Sequence, residues 1–373
     1  MIKFYTPFKL INYLGKEFFK SFGMVFLVFF SLSLLINFIE EITFFKDREI
    51  QNFTLFVSYL SLSKTPNTII ELFIFIILFT GIIYFVKLQK NNEINTIMLS
   101  GISKTFPILV PGLISFCLGV FILIVFSPIS AASLKFYEEA KRLYSSNDNL
   151  VVINDNGLWF KENLENGYNI IRANKILNND FTKLTNVTIY NLDKSFNFIR
   201  RLDSDEITIK NKNWIMINTV VLNNETDFSL KNNNYSSATE FVSTININNL
   251  KKFFSNANTV SFWEIADNIK VLNERGYSAD ELKVKLHKYL SLPIFLLAMI
   301  LVSTIFTIGI NKEYNTLMYL FFGIIIGFII YFFNDLSIAV GLASKLPLVM
   351  SVWSPVIIIM FLSIINLMRI NEK

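Results

Sequence analysis

The sequence predicts an α-helical membrane protein with six transmembrane helices and an inserted, extracytoplasmic antiparallel β domain of β-sandwich, jelly-roll-like type. Three observations predict it. Of 373 residues 53% are hydrophobic and only 17% charged, with a mean hydropathy of +0.47. A soluble globular chain carries about 25% charged residues, so this one has too few to cover its surface with hydrated groups. Six apolar runs reach the roughly 17 to 25 residues that cross a hydrocarbon layer. Between the third and fourth runs lies a long polar region, Pro128 to Lys288, rich in short alternating segments and in Asn, Asp and Gly turns.

The first run, FGMVFLVFFSLSLLINF from Phe22, is longer than the roughly 7 to 15 apolar residues of a signal peptide. No small-x-small cleavage pattern precedes Glu40 and Glu41, so it reads as a retained anchor. IIELFIFIILFTGIIYFV from Ile69 and FPILVPGLISFCLGVFILIVFS from Phe106 complete the first triplet. The polar region then reads as short strands: VVIND, GLWF, YNIIR, VTIYNL, EITIK, NWIMIN and EFVSTININ. After them Phe262, Ile265, Ile269 and Leu272 recur at helical spacing, and a second helical stretch restarts beyond Gly276. Runs from Leu290, Leu317 and Pro347 form the second triplet. The domain reading is therefore 1–127 for the N-terminal membrane half, with a surface helix near 90–101, and 128–257 for the β domain. A helical connector at 258–288 and a C-terminal membrane half at 289–373 follow.

Six spans place both termini on one side. With a cytoplasmic N-terminus, the inner segments hold Lys3, Lys9, Lys16, Lys20, Lys87, Lys90, Lys104, Lys312, Arg369 and Lys373. The short outer loops hold only Lys46, Arg48, Lys64 and Lys345. An excess of Lys and Arg marks the cytoplasmic side, and long inserted domains cross regardless of charge. Both termini are expected in the cytoplasm, with the β domain outside.

The chemistry is sparse. A single Cys, Cys117, excludes a disulfide framework, and a single His, His287, excludes most zinc and non-haem iron sites. No metal site and no catalytic residue are expected. No GxxxxGK[ST], HExxH or GxSxG motif occurs. The net charge of +5 suits anionic headgroups, and no nucleic-acid partner is expected. Glu40, Glu41, Glu71 and Asp335 all fall near span ends, which disfavours an ion-coupled relay. The two triplets show no inverted repeat. Asn37 and Asn334 are the polar residues closest to the membrane, as helix-end amides or as substrate contacts. Gly323 and Gly327 have the small-xxx-small spacing that lets helix backbones approach. In Lys87–Lys104 a short surface helix is expected, with Ile94, Ile97 and Met98 on one face, Glu93 beside them and Gly101 as its stop. It reads either as a solvated loop or as a docking element for a cytoplasmic partner.

The segments INYLGKEFFKSF, LSLSKTPNTIIELF with its Pro66, NNEINTIMLSGIS, NGLWFKENLENGYNIIR, FFGIIIGFIIYFFNDL and GLASKLPLVMSVWSP stand in this order along the chain. Together they resemble the LptF/LptG permease family of the lipopolysaccharide-export ABC transporter. The GLW segment and the final spans are more similar to LptG than to LptF. The resemblance implies a permease subunit of the bacterial inner membrane that extracts lipopolysaccharide and passes it to a periplasmic β bridge. It implies as partners an LptF-like permease, an LptB-like ATPase dimer that holds ATP and Mg, an LptC-like single-span protein, lipopolysaccharide and membrane lipids. This chain itself would bind no cofactor.

By the same resemblance, Asn92, Glu93, Ile94, Ile97, Met98 and Gly101 form the ATPase-coupling helix, with Glu93 meeting a basic site on the ATPase. Family members can carry lysine late in span one, where this chain has Asn37 followed by Glu40 and Glu41. Lys46, Arg48, Lys135 and Arg142 are then the expected headgroup cations, and Asn37, Gly323, Gly327 and Asn334 the cavity or helix-packing residues. The alternatives are an LptF-like paralogue, a non-transporting ABC mechanotransmission scaffold and a gradient-driven secondary transporter.

Overall fold

The computed structural model describes residues 8–46, 48, 50, 52–144, 150–154, 157–164, 167–176, 182–210, 213–223, 235–243, 257–274, 278–308 and 316–372. Lys3, Lys312 and Lys373, used above for orientation, lie outside them. The chain divides into a helical unit and a β unit. The helical unit is built from the chain up to Ala140, Asn258–Ile265 and Leu282 onwards. The β unit comprises Lys141–Ala257 and Ala266–Glu281.

Helices α1 (Phe8–Phe45), α2 (Phe53–Lys90), α3 (Glu93–Leu99), α4 (Phe106–Phe121) and α5 (Ser127–Leu143) precede the strands. One π-helical segment, Ile122–Phe126, joins α4 to α5. After the strands come α6 (Phe262–Glu274), α7 (Asp280–Thr307), α8 (Thr316–Leu342) and α9 (Leu348–Glu372). Among the described residues, six helices are long and apolar enough to cross a membrane, matching the six expected spans. In their most apolar windows, 67% of α2 and 72% of α7 is buried, against 17% of α1 and 22% of α8. Thus α2 and α7 form the centre of the bundle, while α1 and α8 turn apolar faces outward. Leu27, Leu35 and Ile36 on α1 and Phe321, Phe328 and Phe332 on α8 belong to those faces.

Two helices exceed the apolar runs that predict them. In α2 the stretch before Ile69 reads as polar loop, yet it is helical from Phe53. Its hydroxyls are satisfied without leaving the helix: Ser58, Ser61, Ser63 and Thr65 each donate to the carbonyl four residues back at 2.7–2.9 Å. Likewise the helix begun at Phe106 runs on through the π-helical segment to Leu143, beyond residue 128 where the β domain was expected to start.

The β domain is antiparallel throughout. Strands β1 (Leu150–Asn154), β2 (Gly157–Leu164), β3 (Gly167–Ala173), β4 (Lys175–Ile176), β5 (Lys183–Asp193), β6 (Phe198–Lys210), β7 (Asn213–Asn223) and β8 (Tyr235–Val242) share one curled sheet. They pair in chain order, with the short β4 beside β5. Alternation places one residue in two on the inner face. There Phe160, Ile171, Ile189 and Leu202 stand directly opposite one another across β2, β3, β5 and β6. Trp214, Met216 and Phe241 extend this core, and Leu272 of α6 packs on it.

The adjacent inner rung is polar. Glu162, Asn169, Asn191 and Arg200 occupy successive cross-strand positions. Asn169 Nδ2 donates to Glu162 Oε2 at 2.8 Å, Asn191 Nδ2 donates to Asn169 Oδ1, and Arg200 Nε donates to Asn191 Oδ1 at 2.6 Å. Ser243, beyond β8, adds a 3.0 Å bond to Glu162 Oε1. A buried carboxylate is tolerated here because donors surround it.

Candidate functional site

Helix α3 lies between α2 and α4 because two residues break the helical path on either side of it. Asn92 enters at φ 55°, and Gly101 leaves at φ 82°, where a side chain would be strained. The Gly101 N–H bonds to the Met98 carbonyl at 2.9 Å and closes the turn. Ile97 is buried in the core of the bundle, and Ile94 packs against the same core. The apolar face of α3 is therefore spent on its own bundle. Met98 is half-buried, and Leu99, absent from the sequence-based list of coupling residues, is 89% exposed.

Glu93 sits in the first turn of α3 with both oxygens engaged. Tyr13 Oη of α1 donates to Oε2 at 2.9 Å, and Asn91 Nδ2 donates to Oε1 at 2.9 Å. Nearby, Glu17 of α1 accepts from Lys20 at 2.8 Å and from Lys87 at the end of α2. Helices α1, α2 and α3 thus meet through charged and phenolic groups. Neither Tyr13 nor Glu17 was singled out from the sequence. Their partners lie 80 and 70 residues away, and no local pattern reports such pairing.

The other end of α1 carries a second polar cluster. Asn37 Nδ2 donates to Thr65 and Thr68 hydroxyls at 3.2 and 3.4 Å, so this buried amide ties α1 to α2. Glu41 is fully buried, not solvated as its place near a span end suggests, and accepts from Tyr137 Oη at 2.6 Å. Lys64 bonds Glu40 at 2.7 Å and stands 4.0 Å from Glu41.

Gly323 and Gly327 of α8 pack against α2. A Cβ on Gly323 would stand 2.4 Å from Ile82 Cδ1, and one on Gly327 would stand 3.0 Å from Leu78 Cδ2. Asn334, farther along α8, lines a cavity of about 270 Å³ with Glu71, Lys288 and Asp335. His287 accepts a 3.4 Å bond from the Trp353 indole.

The profile of the lipopolysaccharide export system permease LptF/LptG matches residues 12–369, from the early turns of α1 to the last turns of α9. The chain belongs to the LptF/LptG family. No curated protein matches it. As an LptF/LptG permease it is a multi-pass membrane protein and a transport component, consistent with its six span-length helices and inserted β domain.

Of the four cations expected to meet headgroups in this LptF/LptG chain, three have side chains among the described residues. Lys46 and Lys135 are exposed. Arg48 lies over the Phe44 ring at 4.3 Å from its centroid, and its buried Nη1 has no hydrogen-bond partner among the described residues. Arg142 lies in the last turn of α5, and its side chain is outside the described residues. Asn37 is engaged in helix packing, as are Gly323 and Gly327. Asn334 lines the cavity of about 270 Å³.

Proposed function

We propose that this chain is the LptG-like permease of the export complex. It extracts lipopolysaccharide from the bacterial inner membrane and passes it to a periplasmic β bridge. In this reading both termini are cytoplasmic and the β domain is periplasmic. An LptF-like permease completes the cavity, an LptB-like ATPase dimer binding ATP and Mg drives it, and an LptC-like protein receives the lipid. Lys46, Arg48, Lys135 and Arg142 contribute cations toward the lipid phosphates.

The observation that carries the reading is the construction of α3. A short helix between two spans keeps its apolar face in the bundle and fixes a carboxylate at its start, while Leu99 projects at its end. Anchored in this way, α3 transmits a push on its outer surface to α1 and α2. Glu93 offers a charge-assisted hydrogen bond to a basic group on the ATPase, the stronger kind of surface contact. The experiment is Glu93→Lys in the reconstituted complex. Export and lipid-stimulated ATP hydrolysis are expected to fall to background while the chain stays in the membrane. Unchanged activity would overturn the coupling assignment.

A further inference from the structure

The cavity that Asn334 lines is walled mainly by α2, α7 and α8, with Asn258 and Val352 of α9 at its margin, all within the helical unit. It brings together three charged side chains that lie 47 to 264 positions apart in sequence: Glu71, Lys288 and Asp335. Among the described residues, none of the three forms a side-chain hydrogen bond or ion pair. Lys285, on the same wall, is spent: its ammonium donates to the carbonyls of Val260 at 2.6 Å and Asn258 at 3.2 Å. Charged groups on membrane-spanning helices are costly, and those that persist usually face a partner or a wet cavity. Here two carboxylates and one ammonium are displayed to the same space.

The rest of the lining says what shape of ligand fits. Asn67 and Asn334 add amide donors beside Lys288, while Ile70, Leu292 and Phe295 supply an apolar side. A cation alone would leave Lys288 without a partner, and an anion alone would be repelled by Glu71 and Asp335. A molecule with a donor cation, an anion and an apolar body satisfies all of the walls. We propose that this cavity binds the headgroup of an aminophospholipid, its primary ammonium between Glu71 and Asp335 and its phosphate on Lys288 and the two amides. A primary ammonium has three N–H donors for two carboxylates, whereas a trimethylated one has none. The site contains no residue of α3, so it stands or falls separately from the coupling assignment.

The test uses the full chain purified in mild detergent. It is incubated with equal amounts of phosphatidylethanolamine, phosphatidylcholine and phosphatidylglycerol of identical acyl chains, and retained lipid is measured by native mass spectrometry. The expected result is retention of phosphatidylethanolamine over the other two by about tenfold, equivalent to about 1.4 kcal/mol. The double variant E71Q/D335N keeps shape and removes charge, and is expected to bring that preference below about twofold. K288Q is expected to lower retention of phosphatidylethanolamine while leaving wild-type levels of the helical fold by circular dichroism. Should the double variant not fold, competition on the unmodified chain decides. O-Phosphoethanolamine displacing the lipid, where ethanolamine or inorganic phosphate alone does not, supports a site that reads the headgroup. Failure of all three to displace a selectively retained lipid supports a site that also requires the acyl chains. Equal retention of the three lipids, or a preference that survives E71Q/D335N, overturns the proposal.

Discussion

The phenol of Tyr13 donates a 2.9 Å hydrogen bond to Glu93, tying the first turns of α1 to the first turn of α3. If Glu93 meets the ATPase, Tyr13 is the residue that sets its direction. Tyr13→Phe removes one donor and leaves Asn91 in place, so the loss should be partial. At this exposed position it is expected to weaken ATPase capture about fivefold, or about 1 kcal/mol. Titration of the purified ATPase against the reconstituted permease measures it, and affinity equal to wild type would deny Tyr13 a positioning role.

Tyr137→Phe tests the buried carboxylate of Glu41, which loses a 2.6 Å donor while remaining fully enclosed. Leaving a buried polar group short of one hydrogen-bond partner costs about 1–3 kcal/mol, and more where the group is charged. The unfolding midpoint of the variant in detergent should fall accordingly.

The packing of α4 on α7 predicts a contrast between two glycines. A Cβ at Gly119 would stand 2.5 Å from Pro293 Cα, so Gly119→Ala forces backbones apart and is expected to cost about 1–3 kcal/mol. Gly23 on α1 has nothing within 4 Å, and there the same substitution should be neutral or stabilising by up to about 1 kcal/mol. Thermal melts of the two variants under identical detergent conditions should separate in opposite directions.

Acid should loosen the start of α6. Glu264 Oε2 accepts from the Ser261 hydroxyl at 2.7 Å and from its N–H at 3.1 Å, which holds the carboxyl below its ordinary value. Because the folded pKa is lowered, the stabilisation is complete above the unfolded value and is lost as pH falls through the folded one. Hydrogen exchange in the first turn of α6, corrected for intrinsic rates, should accelerate between about pH 5 and pH 3. Glu264→Gln should remove that pH dependence.

The helices and strands were legible because their signals are local. Apolar length gives the spans, and alternation together with turn residues gives the strands, so VTIYNL falls inside β5 and NWIMIN inside β7. What was not legible depends on pairing at a distance. Glu41 lies at the end of an apolar run and reads as interfacial until Tyr137, 96 positions away, is placed against it. Glu71, Lys288 and Asp335 share a cavity because three helices pack, which no single segment records. Ile97 illustrates an ambiguity of amphipathic faces: periodicity shows that α3 has an apolar side, and only the packed structure shows that the side faces inward.

The polar rung of the β domain has a consequence for strand identity. A two-residue slip of β3 against β2 keeps every side chain on its own face, yet it sets Ile171 against Glu162 and Asn169 against Leu164. The misaligned sheet would strand a carboxylate among hydrocarbon, so each strand recognises its neighbour by content as well as by shape. In a protein proposed to pass its lipid to a periplasmic β bridge, such a lock keeps an incoming strand from displacing a resident one: addition at the rim stays open, while exchange within the sheet is disfavoured.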